Sequence, residues 1–197
     1  MNLDTIETSL LSADRDTLRQ TLLNLLVKYA YVEGDFVLSS GAKSSYYINC
    51  KQVTLRAEGA WVIGRLLWQL LPPDTSAVAG LTLGADPIVT AVSLVSAIAN
   101  RPIPALIVRK QAKGHGTQAY IEGCKLPENA KVVVLEDVVT TGNSALTAVE
   151  RLQAAGYRVE KIIALVDRQQ GGKELYQSKG IAFQAVFSIS EIQQRCS

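Results

Sequence analysis

Apolar residues near the N-terminus recur with the period of a helix. Between 16 and 31 they fall on one helical face, and Gly34 is expected to end that element. The face comprises Leu18, Leu22, Leu25, Leu26 and Tyr29. A second helix is predicted at 57–71, before a pair of prolines. Short strands are expected between the two helices, at 36–38 and 46–50.

From residue 77 onward, short apolar runs alternate with longer helical patterns. Strands are predicted at 77–80, 104–108, 120–122, 131–135, 161–166 and 181–187, and helices at 87–100, 143–155 and 172–179. Asp86 is expected to cap the first of these helices, with Pro87 in its first turn. The alternation predicts an α/β protein with a mostly parallel central sheet flanked by helices.

Polar segments follow the predicted strands at the edge where such sheets bind ligands, beyond the carboxyl ends of the strands. The segments are a turn near 140, a basic loop from 109 and the pair Asp167-Arg168. We therefore expect them to converge on one site.

Composition and charge narrow the class of protein. The chain has 197 residues, of which 48% are hydrophobic and 19% charged, as expected for a single globular domain spanning 1–197. A net charge of +2 does not indicate nucleic-acid binding. No apolar run approaches about 20 residues, so no membrane span is expected. The cysteines Cys50, Cys124 and Cys196 are scattered, which favours a reducing cytoplasm over disulfides or a zinc site.

The most specific pattern lies at 132–145. An apolar run ends in Glu136 and Asp137, and a small, hydroxyl-rich turn containing Gly142 leads into a helical pattern. A helix that begins after such a turn points unpaired amides at one spot, which suits a phosphate. Carboxylates beside it suit a ligand that also carries hydroxyls or a metal ion. The alternative is an ordinary buried strand followed by a polar turn.

The loop at 109–116 is basic and contains the only histidine of the chain. Its potential cations are Arg109, Lys110, Lys113 and His115. Glycines at 114 and 116 permit large backbone changes, so we expect the loop to be mobile. Such a loop could neutralise charge that develops on a leaving diphosphate. The alternative is a solvated basic loop without a role in chemistry.

These motifs resemble those of a known family. The pattern at 132–145 closely resembles the phosphoribosyl-diphosphate signature of type I phosphoribosyltransferases. Arg-Lys-x-x-Lys-x-His-Gly from Arg109 is similar to the catalytic loop of the orotate phosphoribosyltransferases, and Asp167-Arg168-Gln169 lies where they keep an orotate-contacting arginine. The segment 36–47 resembles their base-covering segment. Two departures are Ser39 and Gly84, which stand where several relatives have ligand-contacting lysines.

The resemblance implies a fold and a reaction. The fold would be that of type I phosphoribosyltransferases, with a small N-terminal hood formed mainly by residues 1–55. The reaction would transfer the phosphoribosyl group of 5-phosphoribosyl 1-diphosphate (PRPP) to orotate, giving orotidine 5′-phosphate and diphosphate in pyrimidine biosynthesis. Mg²⁺ would be carried by the diphosphate rather than by a dedicated protein site. The resemblance further implies a cytoplasmic homodimer whose partner chains share active sites.

The resemblance also implies residue roles. The 5′-phosphate would be held by Thr140, Thr141, Gly142, Asn143 and Ser144. Glu136 and Asp137 would lie along the ribose, and the PRPP-binding segment between them and the turn includes Val138 and Val139. The diphosphate would be surrounded by Arg109, Lys110, Lys113 and His115. Orotate would contact Thr140 and Arg168. The expected catalytic residues are Lys113, His115 and Asp137.

Two other functions are compatible with the sequence. One is a phosphoribosyltransferase for another base, which would need the 136–145 motif but not a carboxylate-binding arginine. The other is a non-catalytic regulator that senses PRPP. A regulator of that kind normally has a nucleic-acid-binding surface, and neither the length nor the charge of this chain indicates one.

Overall fold

The N-terminal segment folds as a helix that ends in a wider helical turn. The computed structural model describes residues 13–37, 41, 43–112 and 120–196. Helix α1 (Arg15–Leu25) begins after Asp14, whose carboxylate accepts a hydrogen bond from the Thr17 amide at 2.8 Å. Residues Leu26–Ala30 continue it with π-helical hydrogen bonding. The helix predicted at 16–31 is therefore largely confirmed.

A two-stranded antiparallel hairpin follows this helix and stands apart from the main sheet. Its strands are β1 (Tyr31–Val37) and β2 (Lys43–Ile48). The prediction that Gly34 ends the helix is wrong, because the helical part ends at Ala30 and Gly34 lies inside β1. The predicted strands at 36–38 and 46–50 overlap the hairpin, although residue 38 lies outside the described residues.

Two helices lead from the hairpin to the main sheet. Helix α2 (Lys51–Thr54) is a single turn that the sequence pattern did not predict. Helix α3 (Ala57–Leu70) confirms the helix predicted at 57–71. Its buried face includes Val62, Ile63, Leu66 and Leu67.

Among the residues that the structure describes, the main sheet has six strands in the order β5-β4-β3-β6-β7-β8. They are β3 (Ala77–Leu81), β4 (Ala105–Val108), β5 (Ile121–Glu122), β6 (Lys131–Val139), β7 (Arg158–Asp167) and β8 (Ala182–Ser188). All neighbouring pairs are parallel except β4 with β5. The predicted mostly parallel sheet is confirmed, although β6 runs four residues beyond its predicted end at 135.

In the described part of the chain, four further helices connect or follow these strands. They are α4 (Asp86–Ile98), α5 (Asn143–Ala154), α6 (Gly172–Ser178) and α7 (Ile189–Cys196). The expectation that Asp86 caps α4 is wrong: Ala85 occupies the cap position, and Asp86 instead accepts a hydrogen bond from the Thr82 hydroxyl at 2.8 Å. Within the described part of the chain, no helix is both long and apolar enough to cross a membrane.

Helices cover both faces of the sheet, as the side chains of β6 illustrate. Val133 and Leu135 belong to the core cluster built with α1, α3 and α4, whereas Val132 and Val134 belong to the cluster built with α5. Successive side chains of a strand point to opposite faces, so burial of both sets requires helices on each side.

The strand order reverses between β3 and β6. The chain passes from β3 to β4 on one side of β3, and later places β6 on its other side. Connections therefore leave the carboxyl ends of these two strands in opposite directions. A crevice forms at such a reversal, and it is the usual ligand site of open α/β sheets.

Candidate active site

Two adjoining cavities open at the carboxyl end of β6. The smaller one measures about 80 Å³ and is lined by Glu136, Val138, Val139, Thr140, Thr141, Gly142, Asn143, Ser144, Ala145 and Tyr176. The larger one measures about 210 Å³ and is lined by Lys51, Leu81, Thr82, Leu83, Gly84, Lys110, Glu136, Asp137, Val138 and Ser144. Because they share Glu136, Val138 and Ser144, one extended ligand could occupy both.

The smaller cavity has the properties of an anion site. Gly142 occupies the N-cap position of α5 in a left-handed conformation, with φ 88°. In the first backbone hydrogen bond of α5, the Leu146 amide donates to the Gly142 carbonyl at 3.1 Å. The amides at the start of the helix lack partners within the helix, so they and the helix dipole favour a bound phosphate.

A buried tyrosine packs against the turn that begins α5. The Tyr176 hydroxyl donates to the Gly142 carbonyl at 3.0 Å, and burial raises the pKa of Tyr176, so the hydroxyl remains a donor. A Cβ atom at position 142 would lie 3.0 Å from the Tyr176 ring. The turn therefore depends on both the missing side chain and the positive φ of Gly142.

The paired carboxylates lie inside β6 rather than after it. Glu136 is 5% and Asp137 9% exposed, and both are part of the strand that pairs with β7. Burial, followed by the charge of Asp137, raises the pKa of Glu136. The Glu136 Oε2 atom has no hydrogen-bond partner among the described residues. Glu136 therefore carries a buried, unpaired oxygen in the strand that borders both cavities.

The loop after β3 closes one side of the Asp137 carboxylate. A Cβ atom at Gly84 would lie 2.7 Å from Asp137 Oδ1 and 2.8 Å from Oδ2, closer than real Cβ contacts. A side chain at position 84 would therefore require the Asp137 carboxylate to move. The N-terminus of α4 carries Asp86 in its first turn, which makes that helix end less attractive to an anion.

A lysine from outside the sheet reaches the same carboxylate. Lys51 Nζ lies 3.3 Å from Asp137 Oδ2, and the Val138 amide donates to Asp137 Oδ1 at 2.9 Å. Both oxygens of Asp137 thus have hydrogen-bond donors within the protein.

The basic loop is anchored to α5. Arg151 of that helix donates to the backbone carbonyls of Arg109 and Lys110, the latter at 2.9 Å. Its guanidinium also lies 4.2 Å from the ring centroid of Tyr120, where the chain returns from the loop. Arg109 additionally pairs with Glu122 at 3.0 Å. The helix that follows the turn at Gly142 therefore also contacts both ends of the loop.

Arg168 lies directly after β7 and contacts the N-terminal hairpin. Its Nε donates to the Tyr46 hydroxyl at 3.0 Å, and its guanidinium carbon lies 4.8 Å from the Tyr46 ring centroid. Among the described residues, the buried Nη2 atom has no hydrogen-bond partner. Asp167, a potential partner for Arg168, instead accepts from the Gln169 amide at 2.8 Å.

Comparison with known proteins identifies the family. The family model described as "Phosphoribosyl transferase domain" matches residues 74–192. The orotate phosphoribosyltransferase of Nostoc sp. is 72% identical over 184 residues, covering 93% of this chain and 89% of that protein. The chain belongs to the orotate phosphoribosyltransferase family.

Solved structures agree with this membership in the family. A crystal structure of the Mycobacterium tuberculosis H37Rv orotate phosphoribosyltransferase has a TM-score of 0.79 and 40% identity, covering 89% of this chain and 98% of that one. The same enzyme in complex with PRPP has a TM-score of 0.75 and 36% identity, covering 89% and 99%. The expected type I phosphoribosyltransferase fold is therefore confirmed.

Most of the site residues expected for an orotate phosphoribosyltransferase lie together. The residues of the 136–144 segment all line one or both cavities, and Lys110 lines the larger one. Arg109 lies beside it in sequence but pairs with Glu122 in this structure. Arg168 lines neither cavity and contacts Tyr46. Lys113, His115 and Ser39 lie outside the described residues.

Sequence reasoning missed Lys51, Tyr46 and Tyr176. The partners of Lys51 and Tyr46 are distant along the chain, and no local pattern marks such contacts. A weak signal existed for Lys51, because it directly follows the predicted strand at 46–50. Tyr176 belongs to a short helix in which it is the one large buried side chain.

Proposed function

We propose that this chain transfers the 5-phosphoribosyl group from PRPP to orotate, giving orotidine 5′-phosphate and diphosphate in pyrimidine biosynthesis. The observation that carries the proposal is the junction of the two cavities at Glu136, Val138 and Ser144. A sugar that bears a phosphate at one end and a diphosphate at the other fits an anion turn joined to a lysine-lined cavity. Residues 1–197 would act as one phosphoribosyltransferase domain.

The geometry supports a defined placement of PRPP. The 5′-phosphate would bind at the turn 140–144, and the ribose would lie along β6. Its hydroxyls would meet the free oxygen of Glu136 and the carboxylate of Asp137. The diphosphate would extend into the larger cavity, beside Lys110 and the loop that follows Leu81. This placement explains why the carboxylates stand between the two phosphate-binding regions.

The reaction would then depend on positioning and charge. As the bond from the anomeric carbon to the diphosphate breaks, the sugar gains oxocarbenium character and the leaving oxygens gain negative charge. A ring nitrogen of orotate forms the new bond to the same carbon and releases its proton to solvent, while the diphosphate departs with the electron pair. The expected roles of Arg109, Lys110, Lys113 and His115 are to stabilise that departing charge.

Orotate would bind between Thr140 and Arg168. The Nη2 atom of Arg168 has no described partner, and the planar guanidinium suits a carboxylate. Tyr46 would hold the guanidinium through the 3.0 Å bond to its Nε. The hairpin that carries Tyr46 would form part of the hood over the base.

Magnesium is proposed as the cofactor. Among the described residues, no group of three or more His, Cys, Asp or Glu side chains is placed to hold a metal ion. Mg²⁺ binds readily through substrate phosphates and keeps several waters, so the diphosphate in the larger cavity would carry the ion. When bound, the ion would neutralise diphosphate charge and help to orient the leaving group.

A homodimer in the cytoplasm is also proposed. Leu94 and Ile98 lie one turn apart on α4 and are 61% and 59% exposed, which is suited to contact with a second copy. The basic loop at 109–116 also resembles loops that reach the active site of a partner chain, which is a second argument for a dimer. The cysteine thiols Cys50, Cys124 and Cys196 are free, as in proteins of a reducing compartment.

The test is turnover by the purified chain with PRPP, orotate and Mg²⁺. Orotidine 5′-phosphate and diphosphate should form in equal amounts, and omission of PRPP or Mg²⁺ should abolish the reaction. Tight PRPP binding without turnover of any base would instead favour the sensing regulator.

A further inference from the structure

Lys51 occupies a position between the hood and the paired carboxylates. It is the first residue of α2, and two residues separate it from the end of β2. Its ammonium nitrogen is 3.3 Å from Asp137 Oδ2, and its side chain is 39% exposed. Lys51 also lines the larger cavity together with Lys110. The ammonium is therefore close to the carboxylate while still accessible to a ligand.

The surroundings of Asp137 explain why a cation is needed at this point. The Asp137 carboxylate would repel a diphosphate entering the same cavity. The loop at Gly84 does not supply the opposing charge, because glycine has no side chain. Among the described lining residues of this cavity, the cationic side chains are Lys51 and Lys110.

The hydrogen bond to Asp137 occupies only one of the hydrogen-bond donors of the Lys51 ammonium. Oδ1 is held by the Val138 amide, and Oδ2 is held by Lys51. An ammonium group has three donors and no acceptor, so one can remain on Asp137 while another points to an anion. The lysine ammonium is a compact charge on a flexible side chain, which suits this bridging role.

We propose that Lys51 is a PRPP-binding residue that bridges Asp137 and the diphosphate. This inference rests on the proposed function, since it assigns the larger cavity to the diphosphate. Lys51 keeps the Asp137 carboxylate compatible with a neighbouring anion, and it adds a charged hydrogen bond to the leaving group.

The direct test is calorimetric titration of PRPP with Mg²⁺ into Lys51→Met, without orotate. Loss of a hydrogen bond to a charged group should weaken PRPP binding by about 10- to 150-fold. Lys51→Arg, which keeps the charge, should recover part of the affinity. Lys131→Met is the matched control: Lys131 also forms an ion pair with an aspartate, but it lies at the other end of β6. It should leave PRPP affinity unchanged.

A second comparison separates contact with the ligand from simple neutralisation of Asp137. In an Asp137→Asn background, Lys51→Met should still weaken PRPP binding by about tenfold or more, because the bond to diphosphate is independent of that carboxylate. If the effect of Lys51→Met disappears there, Lys51 acts only through Asp137 and the inference is wrong. An affinity of Lys51→Met within twofold of the parent would also overturn it.

Separate controls distinguish a loss of folding from a loss of PRPP binding. Thermal midpoints of all variants are measured first, and Lys51→Gln replaces Lys51→Met if the latter does not fold. A parent protein that binds no PRPP would contradict the proposed function and this inference together. A parent that binds and turns over PRPP, with Lys51 variants unaffected, would contradict this inference alone.

Discussion

Arg168 and Tyr46 are 122 residues apart in the chain, yet the Arg168 Nε donates to the Tyr46 hydroxyl at 3.0 Å. This contact joins the end of β7 to the N-terminal hairpin. It fixes one edge of the guanidinium while Nη2 has no partner among the described residues. A guanidinium held in this way is prepared to bind a planar carboxylate with its remaining donors.

Arg168→Ala should therefore lower kcat/KM for orotate by about 10- to 150-fold, the loss expected for a hydrogen bond to a charged group. The apparent affinity for PRPP should change far less. Arg168→Lys should rescue only part of the loss, because a point charge lacks the planar fork. The measurement is steady-state kinetics with each substrate varied in turn.

Tyr46→Phe provides the companion variant, since it removes the hydroxyl but keeps the ring beneath Arg168. The KM for orotate should rise by less than in Arg168→Ala, about 2- to 12-fold for a neutral hydrogen bond.

An orotate efficiency of Arg168→Ala within twofold of the parent would mean that Arg168 has a purely structural role.

Asp137→Asn should lower turnover and leave the thermal midpoint nearly unchanged. Asparagine has nearly the same shape and retains an acceptor for the Val138 amide, so the strand should be preserved. Lys51 would lose the negative charge that it faces in the parent, and the ribose would lose the carboxylate proposed to contact it. Circular dichroism melts and initial rates report the two properties. Full activity, or an unfolded protein, would show that this assignment of Asp137 is wrong.

Gly142→Ala should weaken PRPP binding and destabilise the protein. Its φ of 88° is costly for alanine, by about 1–3 kcal/mol, and the new Cβ would meet the Tyr176 ring at 3.0 Å. Gly180→Ala is the control, because Gly180 also has a positive φ, 71°, but open space around it. Both variants should lose stability, and only Gly142→Ala should lose PRPP affinity. Equal PRPP affinities in the two variants would contradict the proposed phosphate turn.

Active sites shared between two chains predict complementation. Lys113→Ala and Asp137→Asn chains, each inactive alone, should regain part of the activity when dissociated and reassociated together. In a mixed dimer, one of the two sites would receive both intact residues. Tagged chains allow the mixed species to be purified before the assay. Mixed dimers without activity would exclude a contribution of the loop to the partner's site.

Local patterns were sufficient to predict the sheet and most of its helices. The apolar runs that became β3, β4, β6, β7 and β8 are short and separated by helical periods, so their alternation is visible in sequence. The end of β6 was placed too early because Glu136 and Asp137 are charged residues, which normally mark the end of a buried strand. Their burial at this position was not visible from local pattern.

The rest of the fold and site depended on contacts between distant residues. Lys51 is 86 residues from Asp137, and Tyr46 is still farther from Arg168. Helix α7 was missed because its buried residues are only Ile189 and Ile192, too few to establish a helical period. The motif at 136–144 could be found because its cavity-lining residues form one continuous segment of the chain.

The most direct test of the proposed function is a competition for limiting PRPP. Equal concentrations of orotate, uracil, adenine and hypoxanthine are incubated with the purified chain, PRPP and Mg²⁺, and the nucleotide products are separated and quantified. We predict that orotidine 5′-phosphate accounts for the consumed PRPP. Formation of another nucleotide in preference to it, or PRPP binding with no nucleotide formed, would contradict the function proposed for this site.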